Sequence, residues 1–225
     1  MLERKLIDTA QVPGGAELQL ISHGRDHMIT LERNELMSTR MQYSEEQLAE
    51  LTIDRLRADK PNMLIGGYGM GFTLRAALGR LPADANVIVA ELVPKIIEWA
   101  KGPMAHHTED CLADPRLTLD MTDVADPIAE AADGMRAQFD AILLDVDNGP
   151  DGLVRAENDK LYSPRGLRQT REALALNGVL AIWSAAQDPR FTRRLEKAGF
   201  AVEVLEVRAR PNNKGPRHTI WFARA

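Results

Sequence analysis

The sequence predicts an α/β fold built on a mainly parallel sheet, and two features of the chain carry that prediction. From residue 62 onward, short apolar segments alternate with helical patterns, which is typical of a parallel sheet with helices on both faces. The first apolar segment ends in a glycine-rich run over residues 66–71, and a helical pattern begins at Phe72. A strand, a glycine loop and a helix in that order open a nucleotide-binding α/β unit.

The spacing of the glycine loop narrows the kind of nucleotide. Gly67, Gly69 and Gly71 alternate with other residues, whereas the dinucleotide pattern G-x-G-x-x-G would place its third glycine at Phe72. This spacing fits the loop of S-adenosylmethionine-type binders better. Because glycine allows a sharp turn and a close ligand approach, we predict that these three glycines and Gly66 bind the cofactor.

The remaining elements extend the alternation to the end of the chain. The predicted strands cover residues 86–90, 116–119, 139–144, 179–183, 202–207 and 218–222. Predicted helix boundaries are marked by Pro94, Ser163-Pro164, Gly178, Asp188-Pro189 and Gly199. Since no helix separates the last two strands, they should pair antiparallel. Five strand–helix units and such a pair predict a Rossmann-like class I methyltransferase fold, with a seven-stranded, mainly parallel sheet and an antiparallel terminal strand.

The N-terminal part reads differently and is predicted to be a small β domain over residues 1–43, followed by a nucleoside-binding catalytic domain over residues 44–225. Residues 17–21 and 27–31 partly alternate and predict a β-hairpin, with a third short strand at Leu36. Ser44 is predicted to cap a helix that ends near Asp59, because Pro61 follows.

Composition and charge exclude several classes of partner. The chain has 225 residues and a net charge of −5, which argues against nucleic acid and anionic membranes and favours a small cationic partner. With one cysteine, Cys111, no intrachain disulfide can form, and we expect a cytoplasmic protein. No apolar stretch reaches signal-peptide length or the roughly 20 residues of a membrane span.

Acidic residues follow the strands at the edge where open α/β sheets bind ligands. Glu91 lies 20 positions after Gly71 and suits the two hydroxyls of a ribose, although it could be a solvated strand-end acid. Asp123 suits an adenine amino group or, alternatively, caps a helix. Asp145 follows five apolar residues, which predicts a functional carboxylate at the crevice floor, or else a cap of the next loop.

Other chemistries have little support. His106-His107 and Cys111 have no second cluster and lack structural-zinc spacing, so we expect no metal. The chain has no G-x-S-x-G elbow, P-loop or H-E-x-x-H. Tyr162 and Trp183 lie near the predicted crevice and are either core residues or pocket walls.

Several segments together resemble one enzyme family. They are residues 64–71 with Leu74-Arg75, residues 89–94, residues 114–117 with Asp123, residues 139–145 and residues 161–163, with 23–26 and 36–39 in the small β domain. Over nearly the whole chain, these segments resemble the spermidine synthase (aminopropyltransferase) family.

The resemblance implies a reaction and a site. The substrate nucleoside would be S-adenosylmethionine or its decarboxylated form, and an aminopropyl group would pass from its sulfonium to a small amine. Glu91 would match the family's ribose-binding acid, Asp123 its adenine-binding acid and Asp145 its general base. We expect Asp147, Tyr162 and Trp183 to contact the substrate. The resemblance and the N-terminal hairpins also suggest a homodimer.

Two departures from the family pattern keep other functions open. Met70 stands in the glycine loop where the family usually has an acid facing the aminopropyl amine, and the family's Tyr-His-Glu stretch lacks its histidine in residues 40–46. An acid in the loop would repel the carboxylate of intact S-adenosylmethionine, so Met70 favours a methyltransferase of a small molecule as an alternative. A non-catalytic nucleoside-binding protein is the third possibility.

Overall fold

A computed structural model describes residues 3–32, 34–108, 110–146 and 158–225 of the chain. The strands are β1 (Arg4–Gln11), β2 (Glu17–His23), β3 (Asp26–Leu31), β4 (Asn34–Ser38), β5 (Asn62–Gly66), β6 (Asn86–Ala90), β7 (Leu117–Asp120), β8 (Phe139–Leu144), β9 (Leu174–Ser184), β10 (Ala201–Arg210) and β11 (Lys214–Arg224). The α-helices are α1 (Tyr43–Ile53), α2 (Phe72–Arg80), α3 (Pro94–Lys101), α4 (Ala125–Ala132), α5 (Asn158–Leu161), α6 (Pro164–Ala173) and α7 (Pro189–Lys197).

The larger sheet has seven strands in the order β10-β11-β9-β8-β5-β6-β7. β5 pairs in parallel with β6 and β8, whereas β11 lies between β9 and β10 and runs antiparallel to both. The predicted fold class is therefore confirmed. The strand order reverses between β5 and β8, and such a switch point opens a crevice at the carboxyl ends of the strands.

Both faces of the sheet are buried along its central strands. Alternate residues of each central strand pack into two different hydrophobic cores, one on each face. In β5, Met63 and Ile65 join the core beneath α1, α2 and α3, while Leu64 joins the core beneath α4, α6 and α7. Because helices cover both faces, the central strands are continuously apolar rather than alternating. Within the described residues, no helix is both long and apolar enough to cross a membrane.

The smaller sheet is antiparallel, with the order β1-β2-β3-β4. The predicted hairpin corresponds to β2 and β3, and the predicted third strand to β4. β1 was not predicted, because its first four residues are exposed and give no apolar alternation. The sheet docks on the larger unit: Leu20 and Ile29 share a core with Ile96 of α3, and Trp99 Nε1 donates to Asp8 Oδ2 at 3.0 Å. The division at residue 43 remains a prediction.

Three predicted helix boundaries are wrong. Ser44 lies inside α1 rather than capping it, since Gln42 holds the N-cap position without a side-chain hydrogen bond, and the helix ends at Ile53, well before Asp59. Gly178 lies within β9 rather than ending a helix, because α6 stops at Ala173 and the strand begins at once.

The serine and aspartate caps of the later helices are confirmed. Ser163 Oγ accepts from Gly166 N at 3.1 Å, and Asp188 Oδ1 accepts from Arg190 N at 2.7 Å. In each case proline occupies the first turn, as expected for a helix start.

The second core should be sensitive to loss of the Phe191 ring. Phe191 is 0% exposed and packs edge-on against Tyr162 and Trp221. Phe191→Ala should lower the free energy of unfolding by about 3–5 kcal/mol, because it removes a buried ring and leaves a cavity. The control Leu176→Ala, at a side chain 92% exposed, should change it by less than about 0.5 kcal/mol. Urea denaturation measures both, and equal losses would contradict the assigned core.

Candidate functional site

A cleft of about 810 Å³ lies at the carboxyl ends of the central strands. One wall is formed by the glycine loop and by residues that follow β6, β7 and β8, including Glu91, Asp123 and Asp145. The N-terminal unit supplies part of the apolar lining, namely Val12, Leu18, Ile29, Leu36 and Met37, and the larger unit supplies the rest, including Leu92, Val93, Ile96 and Val124. Mostly apolar walls and a few polar groups are typical of small-molecule sites.

Gly67 shows why the loop needs glycine. Its φ is +83°, and a Cβ at this position would lie 2.8 Å from the backbone oxygen of Asp145. The Gly67 N–H donates to Ala90 O at 2.9 Å, which fixes the loop beside β6. Any side chain here would push the loop away from the ends of β6 and β8.

Glu91 is buried at the end of β6, and its carboxylate is held by the backbone. Oε2 accepts from Tyr68 N at 2.9 Å and Oε1 accepts from Val93 N at 2.8 Å. Burial raises the pKa of this carboxyl above its ordinary value, and the backbone donors of Val93 and Tyr68 partly offset that rise. The backbone N–H groups of Gly69 and Leu92 also lower the pKa of Glu91, so the carboxylate is surrounded by main-chain donors from the glycine loop and from the segment after β6.

Asp123 lies just before α4 and lines the cleft. Its Oδ1 accepts from Ala125 N at 3.0 Å, at the start of α4, and the residue also lines the cleft. The capping bond occupies one carboxylate oxygen and orients the side chain. Whether the carboxylate also binds a ligand remains a prediction.

Asp145 follows β8 directly and lines the floor of the cleft. Thr73 Oγ1 donates to its Oδ2 at 2.8 Å. Burial raises the pKa of Asp145 to about 6, despite the lowering effect of that hydrogen bond. The carboxyl can therefore accept or release a proton near neutral pH.

A second buried carboxyl, that of Glu45 on α1, belongs to the same environment. Burial, and then the charge of Asp145, raise the pKa of Glu45 well above its ordinary value. Thr73 connects the two residues, because its hydroxyl lies 3.4 Å from Glu45 O and bonds Asp145. Since two nearby buried carboxylates repel each other, the pair favours one ionised and one protonated group at neutral pH.

Sequence reasoning missed Glu45, although a signal was present. Tyr43 and Glu45 match the first and last residues of the family's Tyr-His-Glu stretch. Because Ser44 replaces the histidine, the stretch was interpreted as a departure from the family and Glu45 was not included in the site. In place of that histidine, Ser44 Oγ accepts from Trp183 Nε1 at 3.1 Å and lies 2.8 Å from His218 Nδ1. Burial lowers the pKa of His218 to about 4, so the neutral ring can accept the serine proton.

The cleft brings together half of the predicted site residues. Gly67, Gly69, Glu91, Asp123 and Asp145 line it. The other predicted residues lie elsewhere or are not described. Gly66 ends β5 and Gly71 precedes α2; Tyr162 and Trp183 are buried in the cores on opposite faces of the sheet; and Asp147 lies outside the described residues.

Comparisons with known proteins agree with this architecture. No protein-family model and no curated protein sequence matches the chain. Solved structures do match: a spermidine synthase in complex with the transition state analogue AdoDATO has a TM-score of 0.72 at 19% identity, over 98% of this chain and 72% of that one. The chain has a spermidine synthase-like fold.

Two further solved structures support the same conclusion. Spermidine synthase from Thermotoga maritima is 20% identical, with a TM-score of 0.72 over 98% of this chain and 72% of that one. A probable spermidine synthase from Corynebacterium glutamicum ATCC 13032 is 14% identical, with a TM-score of 0.67 over 98% and 80%. At these identities the likeness concerns the spermidine synthase-like fold, and the function must be argued from the cleft.

Asp145 should reduce the stability of the folded chain as the pH rises. Its pKa rises from the ordinary 3.8 to about 6 on folding, so the folded form binds the proton more tightly between those pH values. The stabilising effect of the bound proton is complete below about pH 4 and is lost above about pH 6. Asp145→Asn should therefore gain stability relative to the unaltered protein, by on the order of 2 kcal/mol more at pH 7 than at pH 4.5. Urea denaturation at both pH values measures this, and a pH-independent difference would contradict it.

Proposed function

We propose that the protein is a transferase that binds decarboxylated or intact S-adenosylmethionine and passes an aminopropyl or other alkyl group to a small amine. The observation that carries this proposal is the meeting of Glu91, Asp123 and Asp145 with the glycine loop in one cleft. Each residue comes from the end of a different strand or its following loop. The fold shared with solved spermidine synthases adds support from architecture.

The nucleoside would lie between the glycine loop and the small sheet. Glu91 would accept from the ribose hydroxyls, because it lines the cleft and its oxygens are already oriented by backbone N–H groups. Asp123 would accept from the adenine amino group. Leu18 and Ile29, both buried on the small sheet, provide apolar contact for the base.

Asp145 would act as the general base. A sulfonium nucleoside supplies an activated carbon and a neutral leaving sulfur, and the attacking amine must lose a proton. A carboxyl with a pKa of about 6 is ionised at neutral pH and is basic enough to assist that loss. Its negative charge on the cleft floor would also attract a cationic amine.

A methyltransferase is the second candidate, and the position of Met70 favours it. Met70 is 1% exposed and packs in the core rather than lining the cleft. Among the described residues, the acids that line the cleft are Glu91, Asp123 and Asp145, and none comes from the glycine loop. The carboxylate of intact S-adenosylmethionine would then meet no acid from that loop.

Calorimetric titration with decarboxylated S-adenosylmethionine, intact S-adenosylmethionine and methylthioadenosine should show saturable binding of at least one sulfonium nucleoside. Asp123→Asn should weaken binding about tenfold, because it removes a charged hydrogen-bond acceptor. The matched control Asp126→Asn, three residues further along, should leave affinity unchanged. Binding of the intact form alone would favour methyl transfer, and binding of none would contradict both candidates.

Asp145→Asn should retain nucleoside affinity and lose turnover by about 10²–10⁴-fold, because the amide cannot take the amine proton. In the unaltered protein, turnover should fall as the pH drops below about 6, since Asp145 is then protonated. Asp140→Asn is the matched control, because Asp140 lies near the other end of β8 and accepts from Asn62 N. Initial rates across pH 5–9 with a diamine acceptor test this, and unchanged turnover would remove Asp145 as the base.

A further inference from the structure

Three histidines converge outside the cleft, where the two sheets meet. His27 lies on β3 of the small sheet, and His106 and His107 lie on the 3₁₀ turn Ala105–His107 that follows α3. Some 80 positions separate His27 from His107, so sequence spacing gave no sign of the cluster. The expectation of no metal was based on His106-His107 and Cys111 and did not include His27.

The ring nitrogens are close enough to share one ion. One nitrogen from each of the three rings lies within 4.8 Å of the others, and His27 Nδ1 lies 3.0 Å from His107 Nε2. Ligand nitrogens about 2.0–2.1 Å from a tetrahedral ion are roughly 3.3 Å apart. The His27–His107 pair is already near that separation, and a nitrogen of the exposed His106 ring lies within 4.8 Å of both.

The backbone holds both sides of the cluster in place. His27 N donates to Thr39 Oγ1 at 3.1 Å, and Thr39 N donates to His27 O at 3.0 Å. On the other side, Arg75 donates to His107 O at 2.6 Å. Because these bonds use main-chain atoms of the histidines, they hold the backbone on both sides of the cluster without occupying a ring nitrogen.

The donor set selects the class of ion. Neutral imidazole nitrogens suit zinc, copper, nickel and related ions, whereas magnesium and calcium prefer oxygen ligands. We propose that His27, His106 and His107 form a binding site for a divalent transition-metal ion of the zinc class. Three protein ligands leave the fourth position of a tetrahedral site open, and one of the three, His106, is exposed.

The surrounding charges are compatible with a cation. Burial lowers the pKa of His27 and of His107, and the neighbouring histidine rings add to this lowering. Asp26 favours positive charge at both of these rings. The positive charge of Arg75 disfavours a cation at His107, but Arg75 forms an ion pair with Glu46 at 2.6 Å.

The position of the site gives the ion a structural consequence. His107 leads directly to Thr108, whose Cγ2 would lie 2.8 Å from a Cβ at Gly71, so the turn packs against the glycine loop. On the small sheet, Met37 pairs with Ile29 two residues along from His27 and lines the cleft. An ion held by both sides would therefore link the small sheet to the segment behind the glycine loop.

The test is a metal titration of the tag-free full chain, stripped with chelator. Zinc calorimetry should give one site per chain, magnesium should not bind, and cobalt should give the visible d–d absorption of a tetrahedral site. His106→Ala and His107→Ala should each weaken zinc binding at least about tenfold. The control His23→Ala, on β2 of the same sheet and outside the cluster, should not.

The outcomes separate this site from the proposed function. His106 is exposed, so its variant should keep the circular dichroism of the unaltered protein, and the cobalt spectrum of the unaltered protein tests the site without any substitution. Zinc should also raise the melting temperature of the unaltered protein but not of the double variant His106→Ala/His107→Ala. The absence of a one-to-one zinc site, or equal zinc affinity in the double variant, overturns the proposal. Nucleoside affinity measured alongside reports on the cleft independently.

Discussion

The carboxylate of Glu91 determines the shape of the cleft, because it joins the end of β6 to the glycine loop. Its two oxygens accept from Tyr68 N, inside the loop, and from Val93 N, just before α3. A buried carboxylate is tolerated only when its oxygens are paired, and here the donors are main-chain groups that cannot rotate away. The loop is consequently fixed against β6 on one side, while Gly67 lies against the carbonyl of Asp145 on the other. The two acids that the sequence singled out most strongly are thus joined through one rigid loop.

Burial of the carboxyl groups of Asp145 and Glu45 lowers the stability of the fold. Each is a carboxyl in a buried setting, and burial is the largest cause of the raised pKa of both groups. Thr73 gives Asp145 one hydrogen bond, which does not offset the loss of water. A fold selected for stability alone would place apolar side chains here, as elsewhere in the two cores. Two buried acids close to the apolar residues of the small sheet are expected where proton transfer or recognition of a cation matters more than stability.

The large sheet could be predicted well from the sequence because the patterns that specify each of its strands and helices are local. Apolar strands followed by proline-marked helix starts specify each unit, and residues at the strand ends fall at one edge of the sheet by topology alone. The failures came from long-range contacts. β1 forms by pairing with β2 although four of its residues are exposed. Ser44 resembles a cap but lies inside α1, bonded to Trp183 and His218 more than 130 positions away. Glu45 and His27 meet their partners only through folding, so no spacing rule could have found them.

The small sheet is part of the site rather than an appendage, and this follows from the contacts of the glycine loop. Met37 Sδ would lie 3.2 Å from a Cβ at Gly69, so the small sheet and the glycine loop pack directly against each other. Val12, Leu18, Ile29, Leu36 and Met37 supply much of the apolar lining, and without them the acids would face open water. Without the small sheet, Asp145 would be exposed to water and would lose the burial that raises its pKa. The pKa of the carboxyl would then return toward its ordinary value, and the carboxylate would be a weaker base. The chemistry available at the ends of β6 and β8 therefore depends on the docking of a sheet that contributes no acid to the cleft among the described residues.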